Sequence, residues 1–459
     1  MIKNIFSFIV ISLLTINFSY SQLSKAKRFA KTISAEDLSE HLYIYASDEF
    51  EGRDTGKEGQ KKAVEYLRNY YKSIGVEAGD LDGDYFQPMT LKMRGRRGNP
   101  GSTVDSENVI AIIKGSEKPE EYVILSAHLD HVGIDKDGEI YNGADDDGSG
   151  TVALLEIAQA FKKAVDKGKG PKRSIVFLHV TGEEKGLLGS KYYTDNPVYP
   201  LENTVVNLNV DMIGRIDPTR EAENDDYIYL IGSNHDSNDL HNLSEETNKE
   251  TVNMTLDYRF NDKEDSNRFY YRSDHYNFAK NGIPIIFYFT GTHEDYHKIT
   301  DTPDKIEYDL LERRSKLIFY TAWNIANRDR RIIVDPKPEK VVVSVDDLKH
   351  FTGVYSNPQF PTEMKIIELN GNLAMVPNGR SNDEAMELSA LGDNKFKITM
   401  AGIDIEFIDK KMKFNMGGRE MMFNLVPPPP IGDEVAEPMR VELGVNDKDP
   451  KAPPPPEKK

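Results

Sequence analysis

Five short runs of this chain are largely apolar on consecutive positions: 108–113, 122–127, 174–180, 204–210 and 283–289. A strand wetted on one face alternates apolar and polar residues, whereas a strand covered on both faces does not, so these runs belong to a sheet sandwiched between helices. Segments of helical period, 60–74, 150–165, 273–280 and 309–326, fall around and between them. This alternation predicts an α/β fold over residues 22–334, a mostly parallel twisted sheet flanked by helices.

After Asp335-Pro336-Lys337-Pro338 the texture changes to short alternating runs at 395–400, 403–408, 411–416 and 420–425. They predict a small antiparallel β domain over 340–426, with Tyr355, Phe360 and Phe396 in its core rather than on a binding face. Residues 427–459 carry two runs of four prolines and read as an extended tail. At the other end, residues 1–21 combine an early lysine, an apolar stretch from Ile5 to Ile16 and the small residues Ser19 and Ser21, the pattern of a secretory signal peptide. Export to the periplasm or the exterior is expected, with no membrane anchor in the mature chain.

Composition narrows the chemistry. A net charge of -18 argues against a nucleic-acid partner. The absence of cysteine removes thiol nucleophiles and thiolate ligands, so any metal site has to be built from His, Asp and Glu. Such residues stand where the apolar runs stop: His128 and Asp130, Glu183 and Glu184, Asp211, and, after a short loop, His297. Asp145 to Asp147 add a further cluster just before the segment opening at Gly150. In parallel sheets, ligands bind beyond the carboxyl ends of the strands, which is where these residues collect. Histidines with an excess of carboxylates suit two zinc or similar ions sharing a bridging ligand. Adjacent residues on an extended chain point apart, so one of Glu183 and Glu184 ligates while the other faces water and moves protons.

The segments HLD (128–130), GADDDGSG (143–150), TGEEKGLLGS (181–190), NVDMIG (209–214) and DYHKITDTPDKI (295–306) resemble, in order, those of the M28 family of zinc aminopeptidases and carboxypeptidases. The resemblance implies a dizinc exopeptidase acting on peptides. One Zn2+ would be held by His128 and Asp211, the other by Glu184 and His297, with Asp146 bridging the two. Asp130 would orient His128, Glu183 would be the general base and acid for a water shared by the ions, and Tyr296 would polarise the scissile carbonyl. An aminopeptidase is the leading expectation, with a carboxypeptidase, a glutaminyl cyclase or a non-catalytic binding ectodomain as alternatives.

Other polar residues have plainer readings. Asp145 and Asp147 are expected to cap the following helix, and Ser273 to cap another. His131 and His293 are expected to face solvent, and Glu51 and Arg53 to lie in a surface loop. His275 is placed with equal weight in the substrate pocket or outside it. Asp80–Asp84 reads as a turn, because a calcium loop would need a glutamate where Leu91 stands.

Overall fold

The computed structural model describes residues 23–427, apart from 81, 94–100, 222–223, 337–342, 379, 381, 383–384 and 393. The expected signal peptide and all but the first residue of the expected proline tail lie outside the described residues. The chain divides into two compact units that part at 340/341.

The first unit is built on a nine-stranded sheet. Its middle is four parallel neighbours, β7 (Arg173–Val180), β4 (Lys118–His128), β8 (Thr204–Val210) and β11 (Ile285–Phe289), in that spatial order. The edges are antiparallel: β3 (Thr103–Ile113) pairs with β7 on one side, and β9 (Tyr227–Ile231) pairs with β11 on the other. Three of the five runs predicted from sequence agree with the observed strands to within two residues at both ends; β3 starts earlier and β4 extends toward its amino end as an extra arm.

Burial on both faces explains the unbroken apolar runs. Along β7, Ile175 and Phe177 enter one core and Val176, Leu178 and Val180 the other; β11 divides Ile286 and Tyr288 from Ile285, Phe287 and Phe289 in the same way. The larger core takes in the helices Ala35–Tyr45, Glu58–Ile74, Gly150–Asp166 and Tyr308–Asn327, while Leu188–Asp195 and His275–Ala279 pack on the second. Each fully buried Leu, Ile or Phe contributes roughly 1.5–3 kcal/mol of transfer free energy. The decisive consequence is directional: four parallel strands deliver the residues at their carboxyl ends to a single edge of the sheet.

The second unit is a closed antiparallel barrel of eight strands, β12 (Gly353–Ser356) through β19 (Arg419–Leu425). Closure comes from β12 pairing with both β13 (Met364–Leu369) and β19. Tyr355 and Phe396 are buried in its core and Phe360 packs against that core, as expected.

Candidate metal centre

His128 is the last residue of β4, Glu183 and Glu184 come after β7, and Asp211 comes directly after β8. His297 arrives from the loop after β11 with φ +54°, a backbone state uncommon for a side chain with a Cβ. Asp146 sits in the turn Ala144–Ser149 that leads into the helix Gly150–Asp166. All five expected ligands converge.

Two donor groups result, joined by Asp146. Its Oδ1 lies 3.1 Å from His128 Nε2, which is 3.7 Å from Asp211 Oδ1. Its Oδ2 lies 3.0 Å from His297 Nε2, which is also 3.0 Å from Glu184 Oε1. A sixth residue joins the second group: His131 Nδ1 is 3.0 Å from Glu184 Oε1 and 3.7 Å from Asp146 Oδ2. Asp146 Oδ2, Glu184 Oε1, His297 Nε2 and both ring nitrogens of His131 are buried without a hydrogen bond of proper geometry. Leaving such atoms unpaired costs on the order of 1–3 kcal/mol each. Oxygen and imidazole donors turned toward one another in this way fit a divalent cation, and zinc accepts this donor set.

The field points to the same conclusion. Burial opposes charging His297, yet the adjacent carboxylates of Asp146 and Glu184 hold its imidazole up to about 10. Burial likewise opposes charge on His128, and Asp211 and Asp146 outweigh it, keeping the ring well above the usual histidine range. A site that draws protons this strongly is one where a cation is stabilised.

Around the donors, several residues differ from their sequence-based reading. His131 is fully buried rather than solvent-facing: its backbone N–H donates to Arg53 O, which turns the ring inward. His293 is also buried, with Nε2 3.2 Å from Asp145 Oδ2. Asp145 is therefore no cap; its other oxygen accepts the Gly214 N–H at 2.6 Å and ties the β8 exit to the turn. Asp147 does accept the Gly150 N–H at 3.0 Å, as a cap should, and also those of His128 and Met212. With its oxygens engaged by three amides, Asp147 is a brace, and Asp146 supplies the carboxylate between the two groups.

Ser273 caps nothing. Its hydroxyl donates to Asp211 Oδ2 at 2.6 Å and accepts from Asn209 Nδ2 at 2.8 Å, while Asn209 Oδ1 accepts from Ser126 at 2.6 Å, so a hydrogen-bonded chain from the sheet interior fixes Asp211. Arg53 is buried instead of lying on the surface, donating to the carbonyls of Tyr45, Leu129, Asn142 and Gly143. It clamps the loop after β4 to the approach of the Asp146 turn; Glu51 pairs with Lys62 at 3.2 Å. His275 stacks on Phe287 and bonds Tyr270 O at 2.8 Å, a core histidine outside the pocket. Asp80 and Asp84 close a turn as expected, with Gly83 N–H donating to Asp80 O. Asp301 binds the amides of Asp145 and Asp146 and holds the turn from the opposite side.

Asp130 does hold His128, through its main-chain carbonyl 2.9 Å from Nδ1; the carboxylate stands 3.9 Å away. That carboxylate instead accepts from the Glu183 N–H at 3.1 Å and from Thr55 at 2.8 Å. Glu183 is thereby fixed by its backbone, while its own carboxylate has no hydrogen-bond partner among the described residues and lines a small open pocket. Burial, reinforced by Glu184 and Asp274, pushes it well above the ordinary glutamate range. The pocket is walled by Met212, Phe269, Phe287 and Phe289, with Arg272 and Tyr296 also in its lining. Tyr296 stacks on His297 with ring centroids 4.0 Å apart, and burial raises its phenol, which stays protonated.

Residues 108–322 match the model of Peptidase family M28. A stretch of 106 residues is 40% identical to the probable glutamate carboxypeptidase LAMP1 of Arabidopsis thaliana, covering 23% of this chain and 14% of that protein. Over 275 residues the chain is 27% identical to leucine aminopeptidase 1 of Penicillium rubens, covering 57% of this chain and 68% of that one. The fold is shared with the LapA aminopeptidase of Legionella pneumophila, with a TM-score of 0.51 at 20% identity over 67% of this chain and 75% of that chain. Sequence match, sheet order and converging donors agree, and over residues 108–322 the α/β unit of this chain is matched by peptidase family M28.

Proposed function

We propose that the chain is a dizinc exopeptidase, most simply an aminopeptidase, and that the N-terminal 21 residues direct its export to the periplasm or the exterior. The observation that carries the reading is the convergence of His128 and Asp211 toward one oxygen of Asp146 and of unpaired buried atoms of Glu184 and His297 toward the other, beside a glutamate whose carboxylate is left free. His128 and Asp211 would hold one ion, Glu184 and His297 the other, and Asp146 both. Zinc bound there supplies Lewis acidity toward a peptide carbonyl and lowers the pKa of water toward neutrality. Glu183 takes the proton of the attacking water and returns it to the departing amine; its raised proton affinity suits both tasks. The Tyr296 phenol, still protonated, donates to the carbonyl oxygen as it gains charge. Asp130, bonded to the Glu183 amide and to His128, keeps base and ligand in register. The aromatic wall accepts an apolar side chain of a peptide substrate. Among the described residues no helix is long and apolar enough to cross a membrane.

One observation favours a carboxypeptidase instead: Arg272 lines the pocket with its guanidinium 3.5 Å from the Tyr296 hydroxyl, where a terminal carboxylate could meet it. Peptides with a free or an acetylated amino end separate the two readings. Release of the first residue from free-amine substrates, lost on acetylation, supports the aminopeptidase; trimming of acetylated peptides from the carboxyl end overturns it.

A further inference from the structure

We infer that His131 is a fourth protein donor to the ion shared by Asp146, Glu184 and His297, making the two metal positions unequal. The inference rests on the metal-centre reading above and assigns a residue that the five-ligand pattern lacks.

His131 is fully buried, and neither ring nitrogen has a hydrogen-bond partner. An imidazole sealed in that state is unfavourable by roughly 1–3 kcal/mol per unmet group unless something else meets it. The ring is held in place: a Cβ on Gly143, whose φ is +54°, would stand 2.5 Å from the His131 Cγ and Cδ2 atoms, so only glycine leaves room for it. Its Nδ1 faces the donors of the second group. Ligands about 2.0–2.2 Å from a tetrahedral zinc lie roughly 3.3–3.6 Å from one another. Of four donor separations here, three are 3.0 Å, just below that range, and one is 3.7 Å, just above it.

The first group differs. His128, Asp146 and Asp211 give three donors, because the oxygens of Asp147 are taken by backbone amides. The substrate pocket touches all three of these residues and Glu183, and its lining includes neither His131, Glu184 nor His297. A four-donor site with three of its donors outside the pocket lining is of the closed kind that binds tightly; a three-donor site whose donors all line the pocket keeps a position for water or substrate. Zinc should therefore load first at the group containing His131.

Titration of the metal-free full chain with zinc against a competing chromophoric chelator tests this. The wild type is expected to take up two ions in a tighter and a weaker step. His131→Ala should weaken the tighter step by at least about 10- to 100-fold and leave the other within a few-fold. Two unchanged steps in His131→Ala would overturn the inference alone; a wild type that binds no zinc would overturn the metal-centre reading beneath it. If the variant fails to fold, wild-type crystals loaded with one equivalent of zinc decide. An anomalous peak at bonding distance from His131 Nδ1 supports the inference, and a peak solely beside His128 and Asp211 contradicts it.

Discussion

Within the barrel, every fully buried side chain among the described residues is apolar or aromatic, from Leu348 and Tyr355 to Phe423. The α/β unit buries arginines, histidines and carboxylates as well. Many of these are held by several hydrogen bonds: Arg314 donates to the carbonyls of Tyr227, Ile213 and Arg215, and Arg173 to Glu121 and to Ile325 O. Such groups hold loops to strands, and their partners offset much of the cost of leaving water. At the carboxyl edge of the central strands the pattern reverses, and buried donors face each other unpaired. Neither burial nor a missing partner alone distinguishes scaffold from site, since single unpaired atoms such as Tyr193 Oη and Trp323 Nε1 lie in the scaffold too; the convergence of several unpaired oxygens and imidazole nitrogens on one point does.

Glu183 gives the sharpest way to break this contrast. Glu183→Gln should lower kcat by about 10²- to 10⁴-fold while zinc content and the unfolding of both units stay as in the wild type. Steady-state kinetics with metal analysis checks this, and a parallel loss of zinc would make Glu183 a ligand instead of a base. Next in size is the partnered class. Arg53→Met strips a charged donor from four carbonyls, three of them buried, and should destabilise the α/β unit by at least about 3 kcal/mol. The sole tryptophan, Trp323, lies in that unit and reports its urea unfolding, and a change under about 1 kcal/mol would contradict the clamp.

The smallest effect is a pH slope. Burial lowers the pKa of His179 and of His275 to about 3. Unfolded histidine titrates near 6.5, so between roughly pH 6.5 and 3 the unfolded chain binds protons that the folded unit refuses. Stability is complete above that window and falls on acidification, by about 1.4 kcal/mol per pH unit for each histidine. The barrel buries no histidine among its described residues and should lack this slope, which hydrogen exchange at pH 7 and 5 resolves unit by unit.

The same physics sets how much of the molecule was legible in its sequence. Doubly covered strands leave a plain apolar signature, and parallel order brings their carboxyl-terminal neighbours to one edge, so His128, the Glu183–Glu184 pair, Asp211, His297 and their strands are legible directly. The choice of Glu184 within its pair and of Asp146 within its cluster rests on the resemblance of their motifs. His131 was not legible in either way, because its direction is set by a contact with Arg53, far earlier in the chain. Its presence shortly after His128 in the same loop was the available signal. Ser273 and Arg53 were missed for a related reason: a serine before a helix and an arginine in a polar loop have ordinary local readings, and only tertiary pairing reveals their partners. The helix Asn238–Glu250 buries few apolar residues, Leu240 foremost, and left no clear periodic stripe. Closure of the barrel depends on β12 meeting β19 across the whole domain, which no local run encodes.

The central claim, that two cations sit astride Asp146, is met most directly by anomalous diffraction at the zinc edge from crystals of the zinc-loaded protein. Two peaks are predicted, one between His128 and Asp211 and one between Glu184 and His297, with Asp146 reaching both. A single peak, or peaks away from Asp146, would contradict it.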